Sequence, residues 1–422
     1  MSRQLAPLLA ALLFATLLNA RPAAAIPVYA RQLGVDCTQC HTVWPRLNAF
    51  GRQFKIKGYV DTSPLGDRQF PFAVRLKTDF ESATSSAPGT PASTSRQINF
   101  PDELMLFTGG AITSRLGAFI QVTGSRDGSS FPVVLDTARL AYNTSQLHPA
   151  SITFFKDGIF GADPYPSLGG TNFSPFSTDA ASPLFLQNGL LLAPLDGDNY
   201  GLVYHGYLDR NNHIYGAAGL ETGGPLPDTL AGSNRVSNES LKYYTRLAYE
   251  NTLGTSGGIY NLGACYFTGK VDVLPPAASI GSYAGHVSRL FVDGAIQLPL
   301  RQHDYFELVG LYGAGVDSKV REFNPPAPSS PFSGQIGGLF LQSDYYFNRK
   351  WGPQLFYDSS TVGNTTFKTL GVGLAWLPQR DFKIGLSALN TSASDHSKSS
   401  LFGFYLTKYF YVPIQALKDQ KE

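Results

Sequence analysis

Residues 37–41 read CTQCH and contain two of the three cysteines in the 422-residue chain. Two thiols separated by two residues and followed at once by an imidazole form the attachment pattern of c-type haem. The thiols add to the two porphyrin vinyl groups, and the histidine takes the iron from the same side. Cys37 and Cys40 are therefore the candidate thioether anchors of one covalent haem c, and His41 is the candidate proximal ligand. As zinc ligands the three would lack a fourth partner, because Cys265 falls in a remote strand pattern. A redox disulfide belongs beside a βαβ pattern, and none follows.

Such a group needs a wall around it. The next residues, VWPRLNAFGRQFKIKGY, predict a helix beginning near Pro45, with Leu47, Phe50, Gly51 and Phe54 on one face to cover the porphyrin. Arg46, Arg52, Lys55 and Lys57 fall largely elsewhere, and residues 26–69 carry a net charge of +3. Those charges suit haem propionates, an acidic lumen or a solvated helix face. A segment of this length is too short to enclose a haem in its own core, so the rest of the chain must complete the enclosure.

From Gln69 onward the pattern has period 2. In FAVRLKTDFE, Phe72, Val74, Leu76 and Phe80 alternate with Arg75, Lys77, Asp79 and Glu81, which asks for lipid on one side and water on the other. Segments near the roughly 9–11 residues that cross a tilted bilayer strand recur to the C-terminus, about 16 in all. Short links (113–115, 210–212, 348–350, 378–380) alternate with long ones (82–97, 161–197, 223–239, 318–334). Tyr243, Tyr244, Tyr345, Tyr346, Tyr409 and Tyr411 sit at strand ends, where interfacial girdles form. A soluble sandwich or β-helix also alternates, but neither explains this rhythm of lengths.

The expected fold is all-β, a transmembrane antiparallel β-barrel of about 16 strands whose lumen is plugged by a small helical monohaem cytochrome c segment. Residues 1–25, with Arg3, an apolar run from Leu5 to Leu18 and Ala23–Ala25, read as a signal peptide. Residues 26–69 form the haem segment, 70–412 the barrel and 413–422 a polar tail. Charged residues are 15% of the chain and the net charge is only +2, which sets nucleic acid aside as a partner.

Residues 26–69 hold no Met and no second His for the sixth haem position. Met105 shares alternation with Glu103, opposite Leu104 and Leu106, so it faces the lumen and is one candidate distal ligand. His205 is its rival, and another ligand or an open position is the third reading. His148 and His303 fall in short turns, and His286 and His396 near long loops. Cys265 reads as a buried free thiol.

YARQLGVDCTQCH, LNAFGRQFK and GY resemble the N-terminal segment of the fused outer-membrane monohaem cytochrome-porins of iron-oxidising bacteria. The likeness is specific over roughly residues 28–60 and generic across the barrel. It implies residence in the bacterial outer membrane, oxidation of an extracellular donor, most notably ferrous iron, and delivery of the electron to a periplasmic c-type cytochrome or other soluble carrier. Acidic residues such as Asp163, Asp196, Asp198 and Glu221 offer oxygen ligands to iron near the outside. The alternatives are a diffusion porin whose haem plug is structural or gating, and a haem peroxidase.

Overall fold

The computed structural model describes residues 28–33, 35, 37–43, 46–60, 72–125, 130–145, 148–156, 158–165, 199–223, 236–237, 241–254, 257–273, 283–301, 303–320, 332–362, 364–379 and 382–411. The expected leader and polar tail lie outside the described residues. Helix α1 (Val28–Leu33), a 3-10 turn over Cys37–Gln39, strands β1 (His41–Val43) and β2 (Arg46–Leu47), and helix α2 (Ala49–Ile56) come first.

Sixteen barrel strands follow: β3 (Phe72–Ser86), β4 (Ser93–Ala111), β5 (Leu116–Ser125), β6 (Val133–Asn143), β7 (Ala150–Lys156), β8 (Asn199–Tyr207), β9 (Ile214–Gly223), and, after the two-residue β10 (Val236–Ser237), β11 (Leu241–Leu253), β12 (Gly258–Val273), β13 (Tyr283–Pro299), β14 (Tyr305–Val320), β15 (Phe332–Tyr346), β16 (Trp351–Val362), β17 (Thr365–Gln379), β18 (Phe382–Ala393) and β19 (Lys398–Tyr411). Every barrel strand pairs antiparallel with its neighbours. Pairing of β19 with β3, from Tyr411 opposite Ala73 to Lys398 opposite Ser86, closes the ring. Closure removes the exposed strand edges, which lipid cannot hydrogen-bond.

Alternation decides which side chains meet which surroundings. Along β11, Lys242, Tyr244, Arg246, Ala248 and Glu250 are buried inside, while Leu241, Tyr243, Leu247 and Tyr249 are exposed outside. Leu104, Leu106, Leu262, Leu341 and Leu374 extend that apolar exterior around the ring. The polar groups line the interior, an inversion of the usual globular arrangement that only an apolar solvent outside makes favourable. Among the described residues no helix is long and apolar enough to cross a membrane; crossing is left to the strands.

Four local expectations are corrected. Residues 82–97 are not a loop, because β3 and β4 continue through most of them with Ser82 opposite Arg96 and Ser85 opposite Ser93. Cross-strand hydroxyl pairs, Thr84 with Thr94 and Ser85 with Ser93, each at 3.0 Å, hold this polar ribbon together. Several strands are consequently longer than a bilayer needs, β4 reaching 19 residues. Of the six girdle tyrosines, Tyr244, Tyr346 and Tyr409 are buried inside, since adjacent residues on a strand face opposite ways. The helix after the haem motif starts at Ala49 rather than near Pro45, because Arg46 and Leu47 pair with Val43 and His41 and Asn48 supplies the cap.

Placing a guanidinium on the lipid face tests the membrane assignment. Leu341→Arg is expected to lower stability by about 2–4 kcal/mol in denaturant titrations of vesicle-folded protein. An unchanged midpoint there would mean that this face does not meet hydrocarbon.

Candidate functional site

The CTQCH turn is clipped to the start of α2. Asn48 has an extended backbone, and its side-chain oxygen accepts the Gly51 N–H at 2.9 Å, an N-cap bond. Its Nδ2 donates to the carbonyls of Thr38 (3.2 Å) and Gln39 (3.0 Å), and its own N–H donates to Cys40 O at 2.9 Å. One asparagine thereby ties three consecutive motif carbonyls to the helix. Gly51 permits the approach, since a Cβ there would lie 2.2 Å from Cys40 O. The helix ends on a Schellman motif: Gly58, at φ 72°, donates to Lys55 O, and Tyr59 N–H donates to Phe54 O, both at 3.0 Å. Tyr59 then stacks on Tyr29 of α1 with ring centroids 4.9 Å apart, while Phe54 meets Tyr29 edge-on at 5.4 Å.

This unit lies inside the barrel. Arg46 reaches Glu307 of β14 at 2.5 Å and Asp344 of β15 at 3.2 Å. Arg52, fully buried, pairs with Glu250 of β11 at 2.7 Å and donates to Gln297 of β13 at 3.1 Å. On another part of the wall, Gln32 exchanges two bonds with the backbone of Ala111 on β4, and Ser151 of β7 donates to Ile56 O at 2.7 Å. These wall residues all stand close to the short turns, so the segment plugs that end of the lumen. The expected acidic lumen is therefore what Arg46 and Arg52 meet, whereas Phe50, expected on the covered face, is 42% exposed.

A second element enters from the long-turn end. After β7 the chain turns inward through a 3-10 turn, Ile159–Ala162, to Asp163 and Tyr165. Asp163 pairs with Arg246 of β11, which also holds Asp293 of β13 at 2.6 Å and lies under the Tyr165 ring. Ile159 N–H donates to Glu221 of β9, whose carboxylate pairs with Lys242 of β11 at 3.2 Å. Lys55 of α2 donates to Asp163 O, joining plug and inward turn. Asp163 and Glu221 are thus spent on lumen cations instead of being offered outward to iron; Asp196 and Asp198 lie outside the described residues. Among the described residues no group of three His, Cys, Asp or Glu side chains is arranged to hold a metal ion.

Met105 faces inward as alternation requires, packed with Val28, Ala73, Phe107 and Tyr409. Thr42, next to His41, bonds Tyr305 of β14, seven strands around the ring from β4. The structure gives Met105 an apolar pocket beside α1 and gives the motif hairpin the opposite wall. His205 also faces inward and shares a 2.9 Å hydrogen bond with Thr153. Cys265 is a buried free thiol.

A haem c suits the residues at the motif. Thr38 and Gln39 are exposed and Cys40 and His41 half-buried, with the turn's backbone held by Asn48. Burial pushes the Cys40 thiol up to about 11, which keeps it protonated and redox-quiet at neutral pH unless it is alkylated.

Neither a protein-family model nor a curated relative matches the sequence. Solved structures do match in shape. Pseudomonas putida OprB gives a TM-score of 0.54 at 10% identity over 81% of this chain and 94% of that one. An anion-selective porin from Comamonas acidovorans gives 0.49 at 10% identity over 81% and 100%. The fold is accordingly the closed 16-strand antiparallel barrel of outer-membrane porins.

Removing one plug arginine strands buried carboxylates. Arg46→Ala is expected to cost about 3–5 kcal/mol and to expose the N-terminal segment to limited proteolysis, whereas intact protein resists. In chain produced without haem, maleimide labelling of Cys40 should stay slow at pH 8 and accelerate towards pH 11; fast labelling at pH 8 would refute the burial effect.

Proposed function

We propose that this chain is an outer-membrane electron conduit whose N-terminal plug carries one covalent haem c. The observation that carries the reading is the pinning of CTQCH inside a barrel by Asn48, Gly51, Arg46 and Arg52. Cys37 and Cys40 would hold the porphyrin by thioethers, with His41 as the iron's proximal ligand; the sixth position is left to His205, another ligand or an open site, since Met105 packs on the wall opposite the motif hairpin. Bound there, the haem would supply one-electron exchange between an outside donor, Fe(II) in this reading, and a periplasmic carrier.

The chain's own residues do the positioning. Asn48 and Gly51 fix the motif against α2, and the two arginines fix α2 against the wall. The inward turn at Asp163 and the plug each fill part of the lumen, which opposes free solute flow. Short turns at the plugged end support a periplasmic position for both barrel termini, by the rule that holds for outer-membrane barrels generally.

A second reading, a diffusion channel with a structural or gating plug, has its own support. The fold likeness is to proteins described as porins and channels, and it speaks for passage of solutes and not for electron transfer.

Both readings meet in one experiment on protein matured with the c-type haem machinery and reconstituted in liposomes. The conduit reading expects a c-type absorption band, lost in Cys37→Ser/Cys40→Ser, and prompt haem reduction by anaerobic ferrous iron with little sugar uptake. Sugar uptake without reduction supports the channel, peroxide turnover a haem peroxidase, and absence of the band ends the redox reading.

A further inference from the structure

The two ends of the barrel differ in charge. The seven short links carry six basic residues (Arg115, Arg210, Arg301, Arg349, Lys350 and Arg380) and three acidic ones. The eight connections at the other end carry three basic and ten acidic residues. Of the six cations, Arg115, Arg210, Arg301, Arg349 and Lys350 are described, and all five are exposed in four separate turns. Among the described residues none of the five makes an ion pair.

The acidic residues between them are directed elsewhere. Asp209 accepts the N–H groups of Asn211 (3.2 Å), His213 (2.8 Å) and Ile214 (2.7 Å). Burial, the largest single influence, raises its carboxyl, but the three N–H donors together outweigh it and hold the group below the usual range. Asp304 accepts from the Tyr345 hydroxyl at 3.2 Å and the Asn348 N–H at 2.9 Å. Both carboxylates keep their charge and are anchored in the turns, so five exposed cations less these two anions leave the described rim about +3. The plug stands at this end of the lumen, and Thr38, Gln39 and Phe50 are exposed on it. An apolar and neutral centre within a charged rim is the anatomy of a transient protein interface.

We propose that the short-turn rim is the docking surface for a soluble protein with an acidic face, steered by the five cations onto the plug. The proposal rests on the reading that this end faces the periplasm, and with the haem in place the docked protein would be its electron acceptor. A ring of five like charges speeds such encounters about tenfold or more at low ionic strength. Phospholipid headgroups are the competing anions. The interface is favoured because the cations surround the filled mouth, whereas Ile112, Leu208, Leu300 and Phe347 of the same turns continue the lipid-facing alternation of their strands and belong to the membrane border.

The test uses the full chain in phosphatidylcholine nanodiscs, with an acidic flavodoxin and a basic cytochrome c as probes and association rate as the readout. Flavodoxin should associate at low ionic strength and basic cytochrome c should not. The combined variant Arg115→Gln/Arg210→Gln/Arg301→Gln/Arg349→Gln/Lys350→Gln should slow flavodoxin about tenfold or more. Lys368→Gln/Lys398→Gln, on the opposite rim, should leave the rate unchanged. Retained heat-modifiable migration on gels verifies that each variant is folded. Equal rates for the two probes, or an unaltered rate in the five-site variant, overturn the proposal. So does a variant that keeps its flavodoxin rate but loses stability only in phosphatidylglycerol discs, which assigns the cations to lipid. Because binding is read without electron transfer, docking by a chain that lacks the c-type band would sink the redox reading alone.

Discussion

The structure depends on how charge is compensated inside the barrel. A closed ring of sixteen strands in lipid turns its polar side chains inward, and its lumen carries carboxylates that need counter-charges. Glu250, Glu307 and Asp344 find theirs on the plug, in Arg52 and Arg46, while Asp163 and Asp293 share Arg246. Desolvated ions are costly when alone and tolerable only when paired with good geometry. Plug and wall therefore form one electrostatic unit, and neither has a satisfied interior without the other.

The same unit fixes the motif. Between Asn48 and Tyr59 the short helix combines a cap that also grips the CTQCH turn, a glycine where the turn touches the helix and an arginine that reaches the wall. It adds a phenylalanine for the aromatic stack, a lysine for the inward turn, and a left-handed glycine that ends the helix. Backbone carbonyls at residues 38–40 are held by the single side chain and N–H of Asn48.

Much of the barrel was legible because period 2 is a local signal that a lipid exterior enforces at every strand. Met105, His205 and the residues of β3 lie on the faces their alternation assigns. Reading failed where locality failed. The polar ribbon at 82–97 looks like a loop by composition, yet Ser and Thr pair well enough to continue two strands beyond the bilayer. Nothing near Arg46 or Arg52 in sequence indicates that their partners lie on β11, β14 and β15, and an inward carboxylate on a strand looks the same whether it faces water or a guanidinium. Asn48 was a readable cap signal, overridden by the habit of Pro at a helix start. The inward turn after β7 left only GADPY as a trace, which composition assigns to an ordinary loop.

The separation between Arg46 and its carboxylates sets an order of assembly. Arg46 and Asp344 are 298 positions apart, and Arg52 and Gln297 are 245 apart. The first part of the chain to be made is consequently among the last to find its seat, since β11 to β15 must already stand in register before either arginine has anything to grip.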